Sequence, residues 1–202
     1  MKVTGIILAG GKNLRLGRNK ALEFLGSKSL IERVIERLQP LTNQILIVTS
    51  REQANQLLES KTQILIDIFP DSGPLGGIYT GLLSSKSSHS IVVACDMPFL
   101  NTELLRYMVG VPQDYDAVVP RLETDKLEPL HAIYSRNCLD NIKTLLQRNE
   151  FRVNSLLKSV RVRYIERAEC EKLDPQLLSF FNINRQSDMK RAIALIAESK
   201  NR

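Results

Sequence analysis

VTGIILAGGKNLRLGRNK, residues Val3–Lys20, is the stretch on which the fold turns. Its first seven residues are mostly apolar and partly β-branched, as in a strand buried on both faces. A loop follows at once, carrying Gly10, Gly11 and Gly17 with the cations Lys12, Arg15, Arg18 and Lys20. Glycines let backbone N–H groups approach an anion closely, and the cations suit phosphate. The spacing fits neither the dinucleotide fingerprint G-x-G-x-x-G nor the P-loop G-x-x-x-x-G-K-[ST]. Gly10 and Gly11 are adjacent, Gly17 stands alone, and Lys20 is followed by Ala21. The loop is therefore another kind of phosphate-handling element or a flexible turn.

Outward from this stretch, short apolar runs alternate with helical patterns. LIERVIERL (residues 30–38) places Leu30, Ile31, Val34, Ile35 and Leu38 on one helix face, and Pro40 ends it. QILIVTS, a helical REQANQLLES and QILID follow, then the loop IFPDSGPLGG, in which turn residues recur. IYTGLLSS reads as helix, SIVVACD as strand, and NTELLRYMV as a helix with Asn101 at its N-cap. Past residue 110, DAVVPR and LHAIYS read as strands, one of them an antiparallel edge, and SVRVRYIE as an alternating strand. NCLDNIKTLLQRN and SDMKRAIALIAES read as amphipathic helices. The alternation predicts one Rossmann-like domain over residues 1–202, a three-layer α/β/α sandwich with a mostly parallel sheet.

Composition narrows the function classes. The 202 residues carry a net charge of +6, but with no Trp, few aromatics and no long run of like charge. That is poor material for a nucleic-acid stacking platform and better suited to small phosphates. No apolar stretch approaches the roughly 18 residues of a membrane span. The N-terminus reads as a strand, not a signal peptide. Three cysteines without a C-x-x-C pair point to a reducing cytoplasm.

In open parallel sheets ligands collect at the carboxyl ends of strands. Three predicted strands end in chemically suggestive residues: the first in Gly10, Gly11 and the cations, the third in Asp67, the fourth in Asp96 after Cys95. Each alone also suits a simple turn, and Asp71 in Pro-Asp-Ser-Gly reads as a turn former. Their coincidence suggests a nucleoside triphosphate with Mg²⁺, which is usually held by one or two carboxylates plus substrate phosphates. With two histidines, no Ser-His-Asp set or zinc spacing can be assembled. A nucleotidyl transfer to a phosphate monoester needs neither, because such a nucleophile, with its second pKa near about 6, is already mostly dianionic at pH 7.

LAGGKNLRLGRNKAL resembles the opening L-A-G-G-x-S-x-R-M-G-x-D-K-A-L of nucleotidyltransferases related to sugar-phosphate pyrophosphorylases, the nucleotide-diphospho-sugar transferase-like fold. GPLGGIYTGL (73–82), VVACDMPFL (92–100), EPLHAIY (128–134) and FNIN (181–184) narrow the resemblance to the MobA-type family of molybdenum cofactor guanylyltransferases. The resemblance implies transfer of GMP from GTP to the terminal phosphate of molybdenum-molybdopterin, with release of pyrophosphate. It implies backbone contacts to GTP at Leu8, Ala9, Gly10 and Gly11, and phosphate binding by Lys20. Arg15 would neutralise the triphosphate, Asp67 would meet the nucleoside, and Asp96 would hold Mg²⁺. Arg15, Lys20 and Asp96 are the implied catalytic residues. Gly73–Gly77, including Gly76 and Gly77, would form the floor between the substrates. Glu128, His131, Arg152, Asn182 and Asn184 would face the acceptor, so the N-terminal half would bind nucleotide and the C-terminal half mainly the acceptor. Transient contacts with cofactor-delivery proteins or acceptor molybdoenzymes are implied, and neither nucleic acid nor membrane is expected as a partner.

The chain departs from the family pattern at Asn13, Leu16 and Asn19. At the C-terminal motif, Arg185-Gln186 replaces a helix-starting Thr-Pro, and Phe151-Arg152 replaces an Arg-Arg. Cytidylyl transfer to the same acceptor, transfer to a sugar or alditol phosphate, and a non-catalytic GTP- or cofactor-binding role are the alternatives.

Overall fold

A computed structural model describes residues 3–10, 20–57, 62–111 and 114–200. The strands are β1 (Val3–Leu8), β2 (Phe24–Leu25), β3 (Lys28–Ser29), β4 (Thr42–Thr49), β5 (Gln63–Ile66), β6 (His89–Ala94), β7 (Ala117–Glu123), β8 (Lys126–Leu127), β9 (His131–Ser135) and β10 (Val162–Glu166). The helices are α1 (Leu30–Leu38), α2 (Arg51–Ala54), α3 (Gly73–Ser84), α4 (Thr102–Val109), α5 (Cys138–Gln147), α6 (Val153–Leu157), α7 (Arg167–Leu173) and α8 (Gln186–Lys200). The main sheet runs β10-β7-β9-β6-β1-β4-β5, with β8 paired to β7.

β1 lies near the middle because its six residues are all buried, and alternate side chains feed two cores. Val3 and Ile7 join α1 and α4 residues such as Val34, Leu38 and Leu104 on one face. Ile6 and Leu8 join Leu75, Ile78 and Leu82 of α3 and Ile142 of α5 on the other. The expected three-layer α/β/α sandwich is therefore the architecture of the described residues. A smaller cluster, Leu25, Leu30, Ile183, Met189 and Ala192, ties the β2–β3 hairpin to α8.

Local signals set several boundaries. Ser29 and Glu32 form a reciprocal capping box at α1, so that helix begins where its apolar period begins. Asn101 caps α4, its side chain accepting from the Glu103 and Leu104 amides. Two expectations are corrected. GPLGG is the first turn and a half of α3, not loop: Pro74 is tolerated there because the early N–H groups have no intrahelical partner. Besides the two-residue β8, antiparallel to β7, the antiparallel strand is β9, which lies inside the sheet between β6 and β7, while the edges β10 and β5 run parallel to their neighbours.

Candidate active site

The carboxyl ends of β1 and β6 meet at one rim. The Cys95 amide donates to the Leu8 carbonyl at 3.1 Å, and the Ala9 amide to the Val48 carbonyl at 2.8 Å. The ladder thus runs past both strands and delivers Gly10, which is exposed, and Asp96 to the same edge. Thr49 Oγ1 also donates to the Ala9 carbonyl, pinning the start of the loop. Gly11 and Arg15, with Lys12 and Arg18, lie outside the described residues.

Where the chain is described again, Lys20 reaches this edge. Its Nζ donates to Asp96 Oδ2 at 2.6 Å and to Asn184 Oδ1 at 2.8 Å. The Lys20 and Asp96 side chains are only 16% and 17% exposed, so water screens the pair less than a surface ion pair. Asp96 Oδ1 is buried and has no hydrogen-bond partner among the described residues. A buried carboxylate oxygen left unpaired is costly unless another group completes it. The Asp96 carbonyl is itself used, accepting from the Ile183 amide at 3.0 Å. This bond brings Asn182-Ile183-Asn184 alongside the end of β6.

Asp67 stands at the end of β5, three strands from β6, a span of about 14 Å at ordinary strand spacing. Its Oδ1 accepts from Thr80 Oγ1 at 2.9 Å and from the Phe69 amide at 3.0 Å. Burial nonetheless pushes its carboxyl above the usual range, with those hydrogen bonds pulling the other way. Thr80 is a partner that the sequence did not suggest. Asp71 has φ of 65°, the left-handed turn conformation that Asp tolerates better than most residues.

Gly76 and Gly77 are buried within α3. A Cβ at Gly76 would lie 2.7 Å from the Phe69 carbonyl oxygen, and one at Gly77 would lie 3.1 Å from the Leu8 side chain. Close packing of α3 accounts for both glycines. Of the residues expected to face an acceptor, Glu128 is half-buried, and burial raises its carboxyl pKa. Arg152 is exposed at the N-cap of α6, and the neighbouring Phe151 carbonyl lies 4.0 Å from where a Gly73 Cβ would be. Asn182 Nδ2 donates to the Phe180 carbonyl.

His131 is a clear correction. It is fully buried in β9, its ring 4.8 Å from that of Phe180, and neither ring nitrogen has a partner among the described residues. It belongs to the interior and does not face an acceptor. Burial pulls its pKa from 6.5 down to about 4, with its own backbone and then the nearby Asp174 charge only partly opposing. The unfolded imidazole takes up a proton below about 6.5, whereas the folded one stays neutral until about 4. Its contribution to stability is therefore complete above pH 6.5 and is lost as the pH falls toward 4, by about 3 kcal/mol in all. His131→Leu should flatten the curve of unfolding free energy against pH across that window. An unchanged slope in chemical denaturation would contradict the assignment.

Cys95, next to Asp96, is buried, and burial pushes its thiol up to about 12, away from the thiolate. Among the described residues, the rim offers charge placement by Lys20 and Asp96. A lysine–aspartate pair at the strand ends of a mostly parallel α/β sheet suits the handling of phosphates, and the comparisons with known proteins make this site that of a nucleotidyltransferase. The chain belongs to the MobA-like NTP transferase domain family, whose model matches residues 5–165. It is 34% identical over 99% of its length to a probable molybdenum cofactor guanylyltransferase of Pelotomaculum thermopropionicum, covering 96% of that protein. It is 35% identical over 96% of its length to the molybdenum cofactor guanylyltransferase of Desulfosudis oleivorans, again covering 96% of the relative. Among solved structures it is similar to the molybdopterin-guanine dinucleotide biosynthesis protein A of Archaeoglobus fulgidus. The TM-score is 0.84 at 29% identity, covering 96% of this chain and 99% of the other. No helix among the described residues is long and apolar enough to cross a membrane.

Proposed function

We propose that this chain transfers GMP from GTP to the terminal phosphate of molybdenum-molybdopterin, forming the guanine dinucleotide cofactor and pyrophosphate. The observation that carries the proposal is Asp96, with one oxygen on Lys20 and the other buried at the rim with no partner among the described residues. That unpaired oxygen fits a hard cation, and Asp96 would be the protein ligand of Mg²⁺, with substrate phosphates supplying others. When bound, Mg²⁺ neutralises charge on the triphosphate and on the departing pyrophosphate.

The remaining work falls to the chain's own groups. A terminal phosphate oxygen of the acceptor attacks the α-phosphorus of GTP. The bond to the α–β bridging oxygen breaks, and pyrophosphate leaves with the electron pair. Lys20 draws the phosphates to the rim and offsets their charge, while the backbone of Leu8, Ala9 and Gly10 lines the approach. Arg15 and Gly11 complete the phosphate loop, and Asp67 meets the nucleoside. Glu128, Arg152 and Asn182 serve the acceptor half, which transient partners that deliver molybdopterin or receive the product would adjoin. Guanine as the base is supported by the names of the relatives. Three free, buried cysteines suit a reducing cytoplasm.

Supplying molybdenum-molybdopterin, Mg²⁺ and GTP, CTP or UTP, and measuring pyrophosphate and the dinucleotide formed, tests the proposal. GTP should be preferred. Preference for CTP would replace the base, and nucleotide binding without pyrophosphate release would replace the enzyme with a binding protein.

A further inference from the structure

The Lys20 ammonium is held from two sides, and only one of them is the carboxylate of Asp96. The other is Asn184 Oδ1 at 2.8 Å, from a segment 164 residues away in sequence. That segment is fixed at three points. The Ile183 amide donates to the Asp96 carbonyl, and the Ile183 side chain, 2% exposed, is buried against Leu25, Leu30, Met189 and Ala192. The third point is Asp188 in the first turn of α8, whose Oδ2 accepts from the Asn184 amide at 2.9 Å and the Arg185 amide at 2.8 Å.

Asp188 thus satisfies backbone donors at the start of α8, where the family's Thr-Pro is replaced by Arg185-Gln186. A carboxylate is also well placed at the positive end of a helix, and the two amides hold its pKa below the usual range. Its two bonds orient the backbone of Asn184, and that backbone aims the amide oxygen at Lys20. A lysine ammonium on a four-carbon stem has many rotamers, so a second acceptor beside the carboxylate selects among them.

We infer that Asn184 is a positioning residue for Lys20, and that Asp188 positions Asn184. The C-terminal segment then acts on the nucleotide half of the reaction and not only on the acceptor. The inference deepens the proposed function and rests on Lys20 serving GTP.

The test uses the full-length protein with GTP and acceptor varied separately, together with calorimetric GTP affinity in the absence of acceptor. Asn184→Ala should weaken GTP binding and raise the KM for GTP about tenfold, the scale of one hydrogen bond to a charged group, with the KM for acceptor unchanged. Asp188→Ala should move the same two quantities in the same direction. Asp188→Asn, which keeps an oxygen that can accept from both amides, should restore them. A melting temperature for each variant separates loss of fold from loss of position, and the exposed Asn184 gives a series that does not depend on α8 starting correctly. A raised acceptor KM with GTP affinity untouched would overturn the inference, as would Asp188→Asn behaving like Asp188→Ala. If the wild type bound GTP but released no pyrophosphate with acceptor, the proposed reaction would fall, while the GTP affinities would still decide the inference.

Discussion

Asp96→Asn is expected to lower the rate of pyrophosphate release by about 10³-fold, the scale on which losing a preorganised electrostatic group slows an enzyme. The substitution is nearly isosteric, so the end of β6 and the bond from the Ile183 amide to the Asp96 carbonyl should persist. The charge changes. Asp96 Oδ2 now meets the Lys20 ammonium at 2.6 Å, and Oδ1 is the buried atom without a partner among the described residues. An asparagine must turn its NH₂ either toward the ammonium, where two donors face each other, or toward the place a cation would take. Either orientation removes the negative charge that would hold Mg²⁺ against the triphosphate. Comparing wild type and variant at saturating GTP and acceptor over a Mg²⁺ series measures the loss. Near-normal Mg²⁺-dependent turnover would remove Asp96 from the chemistry.

Lys20→Ala should lower kcat/KM for GTP by about 10²-fold, with a second consequence that distinguishes a working lysine from a solvated one. Truncation leaves the mostly buried Asp96 carboxylate and Asn184 Oδ1 without their shared donor. Removing one partner of a buried charge pair costs more than the pair contributed, because the remaining charge is uncompensated. The ligand-free variant should therefore melt below the wild type, and Mg²⁺ should recover part of the difference by pairing with Asp96. Lys20→Gln can still donate to Asp96, so it should recover part of the stability without recovering the rate. An unchanged kcat/KM in Lys20→Ala would return the loop to a solvated role.

Much of this architecture can be read from local pattern. Residues 30–38 have both an apolar period and a Ser29–Glu32 box, so periodicity and capping agree on α1. Asn101 is followed by a helix of ordinary composition and caps it. The start of α3 is harder to see, because Gly73-Pro74 and Gly76-Gly77 have the letters of a turn. The glycines are needed for a different reason, the approach of α3 to the Phe69 carbonyl and to Leu8, and packing distance leaves no periodic trace. Strand direction is likewise silent: HAIYS has the same composition whether it runs with or against its neighbours.

The site is legible to different degrees for similar reasons. Asp96 and Asp67 follow apolar runs directly, so their place at strand ends is visible in the sequence. The hydrogen bond from Lys20 to Asn184 is not, because it depends on how the last quarter of the chain returns to the first strand. Asp188 stands in a stretch that lacks the motif expected to start the helix, and only the cap geometry reveals its use. His131 misleads in the opposite direction. The family resemblance turns it toward the acceptor, and the fold encloses it against Phe180.

The reversed strand β9 has a consequence for how this scaffold can change. Because it runs against β6, its first residue is level with Val93, and the Leu130 carbonyl accepts from the Ala94 amide beside the end of β6. Had β9 run parallel to β6, its entry would lie at the opposite end of the sheet, away from Asp96. Reversal instead brings the turn that contains Glu128 to the rim through a short meander from β7 by way of β8. That turn can be lengthened, shortened or exchanged without altering the pairing of β1 with β4 or β6. The fold thereby leaves the turn that carries Glu128 free to vary while the ends of β1 and β6 and the Lys20–Asp96 pair stay in place.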